Sequence, residues 1–282
     1  MRVEHGVVTV LALLVASAAT ADRLSLRWQD INTRKVVRWE GDTAVVDPES
    51  QMNELTCNIF VNRDAVRNAS ESFGIPETWI SISYHTDEEL REKRNDLAKR
   101  AAKRGMVMDI TKNEFRVNYD WVVQKSIHDI RDAARRIQSA ARKSGYHKPR
   151  ELVGAMASFV QELEYRLPGE FRINADGDRI LTAGAMMPIQ TLAEGWGDCD
   201  TKSLLFASLV RSLDLADVCF VAMQDHLFAA VRLRASPGDH VIRHNGSDWL
   251  LVELSDAWPL GHVPQDHLMT IRHGNYTLVE LN

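Results

Sequence analysis

Gly195-Trp196-Gly197-Asp198-Cys199-Asp200-Thr201-Lys202-Ser203, followed by the largely apolar run Leu204 to Val210, is the stretch on which the reading of this chain turns. Two glycines flanking Trp196 predict a tight turn, and the apolar run predicts a helix from Asp200 to about Leu213, apolar almost all round and therefore central. Asp198 and Asp200 fit capping positions. The turn then delivers Cys199 to the start of a buried helix, where unpaired backbone N–H groups and a partial positive charge favour thiolate over thiol. An aspartate touching that sulfur would oppose this, so both flanking carboxylates are expected to face away from it.

A nucleophile needs a base and an orienting group. Downstream of the helix, Val218 to Met223, Leu227 to Leu233, Val241 to Arg243 and Trp249 to Leu254 read as strands, the last two joined by the hairpin signal Asn245-Gly246. His226 heads one of these strands and shares a face with Phe228 and Ala230. Glu253 lies within an apolar strand, where an unpaired carboxylate is costly, so it should have a partner. An imidazole on a neighbouring strand is the natural one, and a salt bridge to Arg232 or Arg234 is the structural alternative. Cys199, His226 and Glu253 thus make a candidate nucleophile, base and orienter, with Asp256 the rival orienter. The Cys199 backbone N–H is the first candidate for an oxyanion donor and Gln190 a weaker one. Trp196, Met186 and Met187 are candidates for a substrate groove, and Lys202 for added positive charge or a solvated face.

Upstream, helices are predicted over Asp87 to Arg104 and Trp121 to Lys143, the second with Val122, Ile127, Ile130, Ala134 and Ile137 near one face. Short strands are expected at Leu24 to Trp28, Val36 to Trp39 and Met106 to Ile110. A break at Ser144 to Pro149 precedes a helix carrying Leu152, Ala155, Met156, Phe159 and Leu163. Leu167 to Asp178 reads as loop, and Thr191 to Glu194 as a single turn. Helices followed by hairpin-linked strands indicate an α+β fold with an antiparallel sheet.

The chain has 282 residues, 45% of them hydrophobic, and a net charge of −5. That supports a sizeable core and gives no reason to expect nucleic acid as a partner. Gly6 to Ala16 is apolar and Ala19-Thr20-Ala21 has a small-x-small pattern, so residues 1–21 read as a signal peptide, with periplasmic or secreted localisation and no stable membrane insertion after cleavage. Of the three cysteines, Cys57 and Cys219 read as small buried apolar groups, with a bridge between them the alternative. Neither CxxC nor HExxH occurs, and the nearest Cys/His grouping is Cys219 with His226, so no metal site is expected.

Three segments, Phe159-Val160-Gln161 through Tyr165, Pro188 to Leu192, and Gly197 to Ser203, together with the order Cys199, His226 and a later acid, resemble the bacterial transglutaminase-like cysteine peptidase superfamily. The resemblance covers roughly Glu151 to Leu260. It implies a papain-like or transglutaminase-like core, with the nucleophile at the N-terminus of a buried helix packed on an antiparallel sheet. It divides the chain into an accessory α/β region, 22–147, and a catalytic domain, 148–282. It assigns the catalytic cysteine to Cys199, the histidine to His226 and the third residue, usually aspartate, to Glu253. The implied activity is thiol acyl transfer on peptide or amide bonds of an envelope peptide or protein, without a cofactor. Hydrolysis is the leading expectation; the alternatives are a crosslinking transglutaminase and a non-catalytic module binding envelope peptides or glycans.

Overall fold

A computed structural model of the chain describes residues 21–33, 36–40, 43–46 and 52–282, the segments 36–40 and 43–46 by backbone alone. The expected leader, apart from Ala21, lies outside the described residues. The first elements are β1 (Ala21–Asp30), the antiparallel pair β2 (Val36–Glu40) and β3 (Thr43–Val46), and β4 (Asn53–Asn62). β1 and β4 pair antiparallel along their whole length, from Ala21 opposite Asn62 to Asp30 opposite Asn53. Leu55, Ile59 and Val61 share the inward face of β4, and the exposed Glu54, Thr56 and Asn58 intervene on the other.

Next come α1 (Arg63–Ser72), β5 (Ile75–Pro76), α2 (Asp87–Ala102), the hairpin β6 (Met106–Asp109) and β7 (Glu114–Val117), and α3 (Tyr119–Lys143). Asn118 caps α3 by accepting from the Trp121 amide at 3.1 Å. Val122, Ile130, Ala134 and Ile137 are buried as their spacing predicts. α4 (Pro149–Gln161) begins with proline, and the Glu151 carboxylate reaches back to the His147 and Lys148 amides at 2.8 and 2.9 Å. β1 is fastened to α4 by Trp28 Nε1 donating to the Ala155 carbonyl at 3.0 Å. Buried Asp30 accepts from Tyr146 Oη at 2.7 Å and from Ser158 Oγ at 2.8 Å.

β8 (Glu164–Tyr165), β9 (Phe171–Ile173) and β10 (Arg179–Leu181) lead to α5 (Pro188–Glu194), β11 (Trp196–Gly197) and α6 (Cys199–Ser212). β9 falls within the segment expected to be loop, and α5 is longer than the expected single turn. Leu204, Leu205, Phe206, Ala207, Leu209 and Val210 are fully buried, so α6 is the central helix, packed by α3, α4, α5 and the sheet. Each fully buried Leu or Phe contributes about 1.5–3 kcal/mol relative to exposure, so α6 contributes strongly to the core.

The main sheet contains β12 (Val218–Ala222), β13 (Leu227–Val231), β14 (Val241–His244), β15 (Ser247–Val252) and, after α7 (Gln265–Arg272), β16 (Thr277–Glu280). Its order is β14-β15-β13-β12-β16, antiparallel throughout. One face, with Phe220, Leu227, Ala229 and Val252, joins the core around α6. The other, with Val221, Phe228, Ala230 and Leu251, packs on Val263 and on Leu268 of α7. The architecture is α+β, with seven α-helices among the described residues. One core cluster contains Trp28, Ile59 and Ile137 as well as Leu204 and Val252, and so includes residues from both sides of position 147. No described helix is long and apolar enough to cross a membrane.

Candidate active site

Local rules place Cys199. Gly195 ends α5 in the left-handed conformation, φ 75°, with its N–H on the Thr191 carbonyl. β11 then pairs in parallel with β8, setting Gly197 opposite Tyr165. A Cβ on Gly197 would lie 2.7 Å from Thr201 Cγ2, so only glycine lets the chain turn so closely onto α6. Asp198 is the N-cap and accepts from the Thr201 amide at 3.0 Å. Cys199 is thereby the first residue of α6.

Sheet topology supplies the partners. β13 and β15 are neighbours, with Ala229 opposite Val252, so His226 just before β13 and Glu253 just after β15 meet at one sheet end. The Ser203 hydroxyl, one turn beyond Cys199, donates to the Leu227 carbonyl and ties α6 to that end. His226 Nε2 lies 2.9 Å from Glu253 Oε2; the histidine side chain is 16% exposed and the carboxylate 1%. Glu253 Oε1 accepts from the amides of Leu254 and Ser255, each at 2.9 Å, and from Ser255 Oγ at 2.6 Å. Asp256 instead accepts from the Ala257 amide, and Arg232 pairs with Asp217.

Burial opposes charge on Glu253 most strongly. The hydrogen bonds from His226 and Ser255, the His226 charge and the approach of His267 outweigh it, holding the carboxyl well below the usual range. Burial likewise disfavours His226 as a cation, but hydrogen bonds and charge attraction from Cys199 and Glu253 raise it to about 10. With Nε2 on Glu253, Nδ1 is the ring nitrogen left for the sulfur. The set forms a chain of thiol, imidazole and carboxylate, with a cation favoured in the middle.

Asp200 departs from expectation. Cys199 Sγ lies 3.4 Å from Asp200 Oδ1, so this carboxylate faces the sulfur rather than away from it. The reason is tertiary: Tyr119 Oη, at the start of α3, donates to Asp200 Oδ2 at 2.5 Å and fixes the side chain. Asp198 keeps its capping role.

The other sequence candidates are dispersed. Gln190 Nε2 donates to Glu194 at 2.7 Å, and Gln190, Met186 and Trp196 border a cavity of about 130 Å³ that does not include Cys199. The Arg166 guanidinium lies over the Trp196 ring, 4.8 Å from its centroid. Lys202, 1% exposed, is neither solvated nor a free charge: Nζ donates to the Gln161 carbonyl at 3.2 Å. Burial lowers it to about 8, against the attraction of Asp256, Glu253 and Glu162. Gln161 Nε2 donates to the carbonyls of Glu253 and Trp258, both at 2.8 Å, so Lys202 and Gln161 link α6 to the segment bearing Glu253. Cys57 and Cys219 are free thiols in separate packing clusters, pushed by burial up to about 11 and about 12.

Two residues at the site carry no local sequence signal. Tyr165 lies near Cys199, and its hydroxyl is raised by burial and by the nearby Cys199 and Asp198 charges. His267 of α7 lies with its ring 4.5 Å from that of His226 and its Nδ1 3.3 Å from Glu253 Oε2. His226, Glu253 and His267 are the described residues whose ligand atoms could together hold a metal. A groove of about 1040 Å³, bordered by Tyr119, Asp200, Met223, Gln224 and Tyr276, opens beside the sulfur's neighbour Asp200.

No protein-family model and no curated protein matches the chain. Among solved structures, a candidate protease of Parabacteroides distasonis is similar over 86% of this chain, with 10% identity and a TM-score of 0.29. The match covers 42% of that protein's length.

Proposed function

We propose that this chain is an exported thiol-dependent hydrolase of peptide or amide bonds, with a transglutaminase-like core at 148–282. The observation that carries the reading is the buried Glu253 carboxylate hydrogen-bonded to His226, whose protonated form is favoured by the nearby Cys199 and Glu253. In the proposed reaction the Cys199 thiolate attacks the amide carbonyl and forms a C–S bond. The oxyanion is received by the Cys199 N–H, with Tyr165 Oη a second donor. His226 gives its proton to the leaving amine as the C–N bond breaks, leaving a thioester. Water, losing a proton to His226, then attacks the thioester; the acid leaves and the thiolate is restored. Glu253 holds the imidazole and stabilises its charged form. An amine in place of water would make the same site a crosslinking transferase.

The envelope is the proposed setting, with peptide or protein as substrate and the open groove beside Asp200 as its binding path. A second reading, a non-catalytic module that keeps this fold, is favoured by Asp200, whose anion beside the sulfur disfavours a thiolate. Incubation with an envelope peptide library, followed by intact-mass analysis, separates the two. An acyl adduct on Cys199 and cleaved peptides support the hydrolase. Peptide binding with neither adduct nor cleavage supports the module.

A further inference from the structure

We propose that His226, Glu253 and His267 form a binding site for Zn²⁺ that switches the thiol centre off reversibly. The three ligand atoms are His226 Nε2, Glu253 Oε2 and His267 Nδ1, all within 4.8 Å of one another. Nε2 and Nδ1 lie 2.9 and 3.3 Å from the shared carboxylate oxygen. A tetrahedral zinc with bonds of about 2.0–2.2 Å separates its ligand atoms by about 3.3–3.6 Å, so shifts of a few tenths of an ångström admit the ion along both edges. Two imidazoles and one carboxylate, with a fourth position open, suit zinc over calcium or magnesium.

Two further features mark a prepared site. His267 Nδ1 is fully buried and has no aligned hydrogen bond, though it faces Oε2. Glu253 Oε1 is held by three donors from residues 254 and 255, so the carboxylate is oriented with Oε2 presented to the two rings. The ligands come from three places, the turn before β13, the end of β15 and helix α7, which is why no short motif announces them.

Binding exchanges protons for metal. Zn²⁺ takes the Nε2 position of His226 and the Nδ1 position of His267, and the protons held there pass to solvent. His226 then keeps one proton, on Nδ1, and has no nitrogen free to accept another. It can neither take a proton from the Cys199 thiol nor act as an imidazolium toward a leaving amine. Inhibition rests on the hydrolase reading above; zinc binding does not.

The test is zinc titration of the purified chain against a chromophoric chelator, for the wild type, Cys199→Ser and His267→Gln, with the visible spectrum of the Co²⁺ form. The expected result is one tight equivalent in wild type and Cys199→Ser alike and a 10- to 100-fold weaker site in His267→Gln. Cobalt should show no thiolate charge-transfer band. An absent site, one lost in Cys199→Ser, or one unchanged in His267→Gln overturns the proposal. Should His267→Gln fail to fold, zinc-induced Tm shifts in the wild type and His267→Asn give the same comparison. Zinc binding without thiol activity would sink the hydrolase reading alone; thiol activity unaffected by bound zinc would sink the inhibitory switch alone.

Discussion

Glu253 Oε2 and His226 Nε2 meet at 2.9 Å, and the other carboxylate oxygen is fixed by donors from the next two residues. The imidazole is thus held by an anion that cannot swing away. Glu253→Gln keeps the volume and removes the charge, and should lower kcat/KM by about 100-fold or more, mainly through kcat. Glu253→Ala leaves the buried histidine without its anion and should also destabilise the fold by about 3 kcal/mol in urea unfolding. Full activity in Glu253→Gln would remove Glu253 from the mechanism.

Stability should depend on pH through the same pair. His226 is raised to about 10 from an unfolded value near 6.5, so its contribution is complete below about pH 6.5 and fades as pH rises through about 10. Glu253 is depressed, so its contribution is present above its unfolded value of about 4.3 and is lost as pH falls toward its folded value. The difference in Tm between wild type and His226→Gln should therefore shrink between pH 6.5 and 10. A difference that stays constant across that range contradicts the coupling.

Lys202 should act with the opposite sign. Its folded value, about 8, lies below the unfolded 10.4, so the wild type gains stability from this group as pH rises between them. Lys202→Met should be more stable than wild type by about 1–3 kcal/mol at pH 7, with the advantage fading by pH 10.5. Denaturant midpoints at the two pH values measure it; a destabilised variant at pH 7 would mean the Lys202–Gln161 bond outweighs desolvation.

Iodoacetamide should alkylate Cys199 at least about tenfold faster than Cys57 or Cys219 at pH 7, because burial holds the latter two as thiols. Peptide mapping after timed quenching gives the three rates. Equal rates would leave the thiol centre without support.

Asp200→Asn removes the anion 3.4 Å from Cys199 Sγ. The labelling rate of Cys199 at pH 6 should rise about three- to tenfold. Loss of a carboxylate from the first turn of α6 should cost about 0.3–1 kcal/mol of stability. A slower rate would show that Asp200 serves the thiol in a way that its charge does not predict.

The placement of Cys199 at the start of α6 was legible in sequence because it rests on local rules. A glycine C-cap, a close-approach glycine, an aspartate N-cap and an apolar helix act within a few residues of Cys199 and need no distant partner. The pairing of His226 with Glu253 was legible one step further, since an apolar strand carrying one carboxylate requires a nearby partner. Other features depended on the tertiary structure. Tyr119, 81 residues before Asp200, turns that carboxylate onto the sulfur. Packing buries Lys202, a residue type usually left in water. Helix α7 sets His267 against Glu253. Periodicity and capping specify which way a local segment faces, whereas these three contacts depend on how separate segments dock. That docking is decided by the closure of one core around α6.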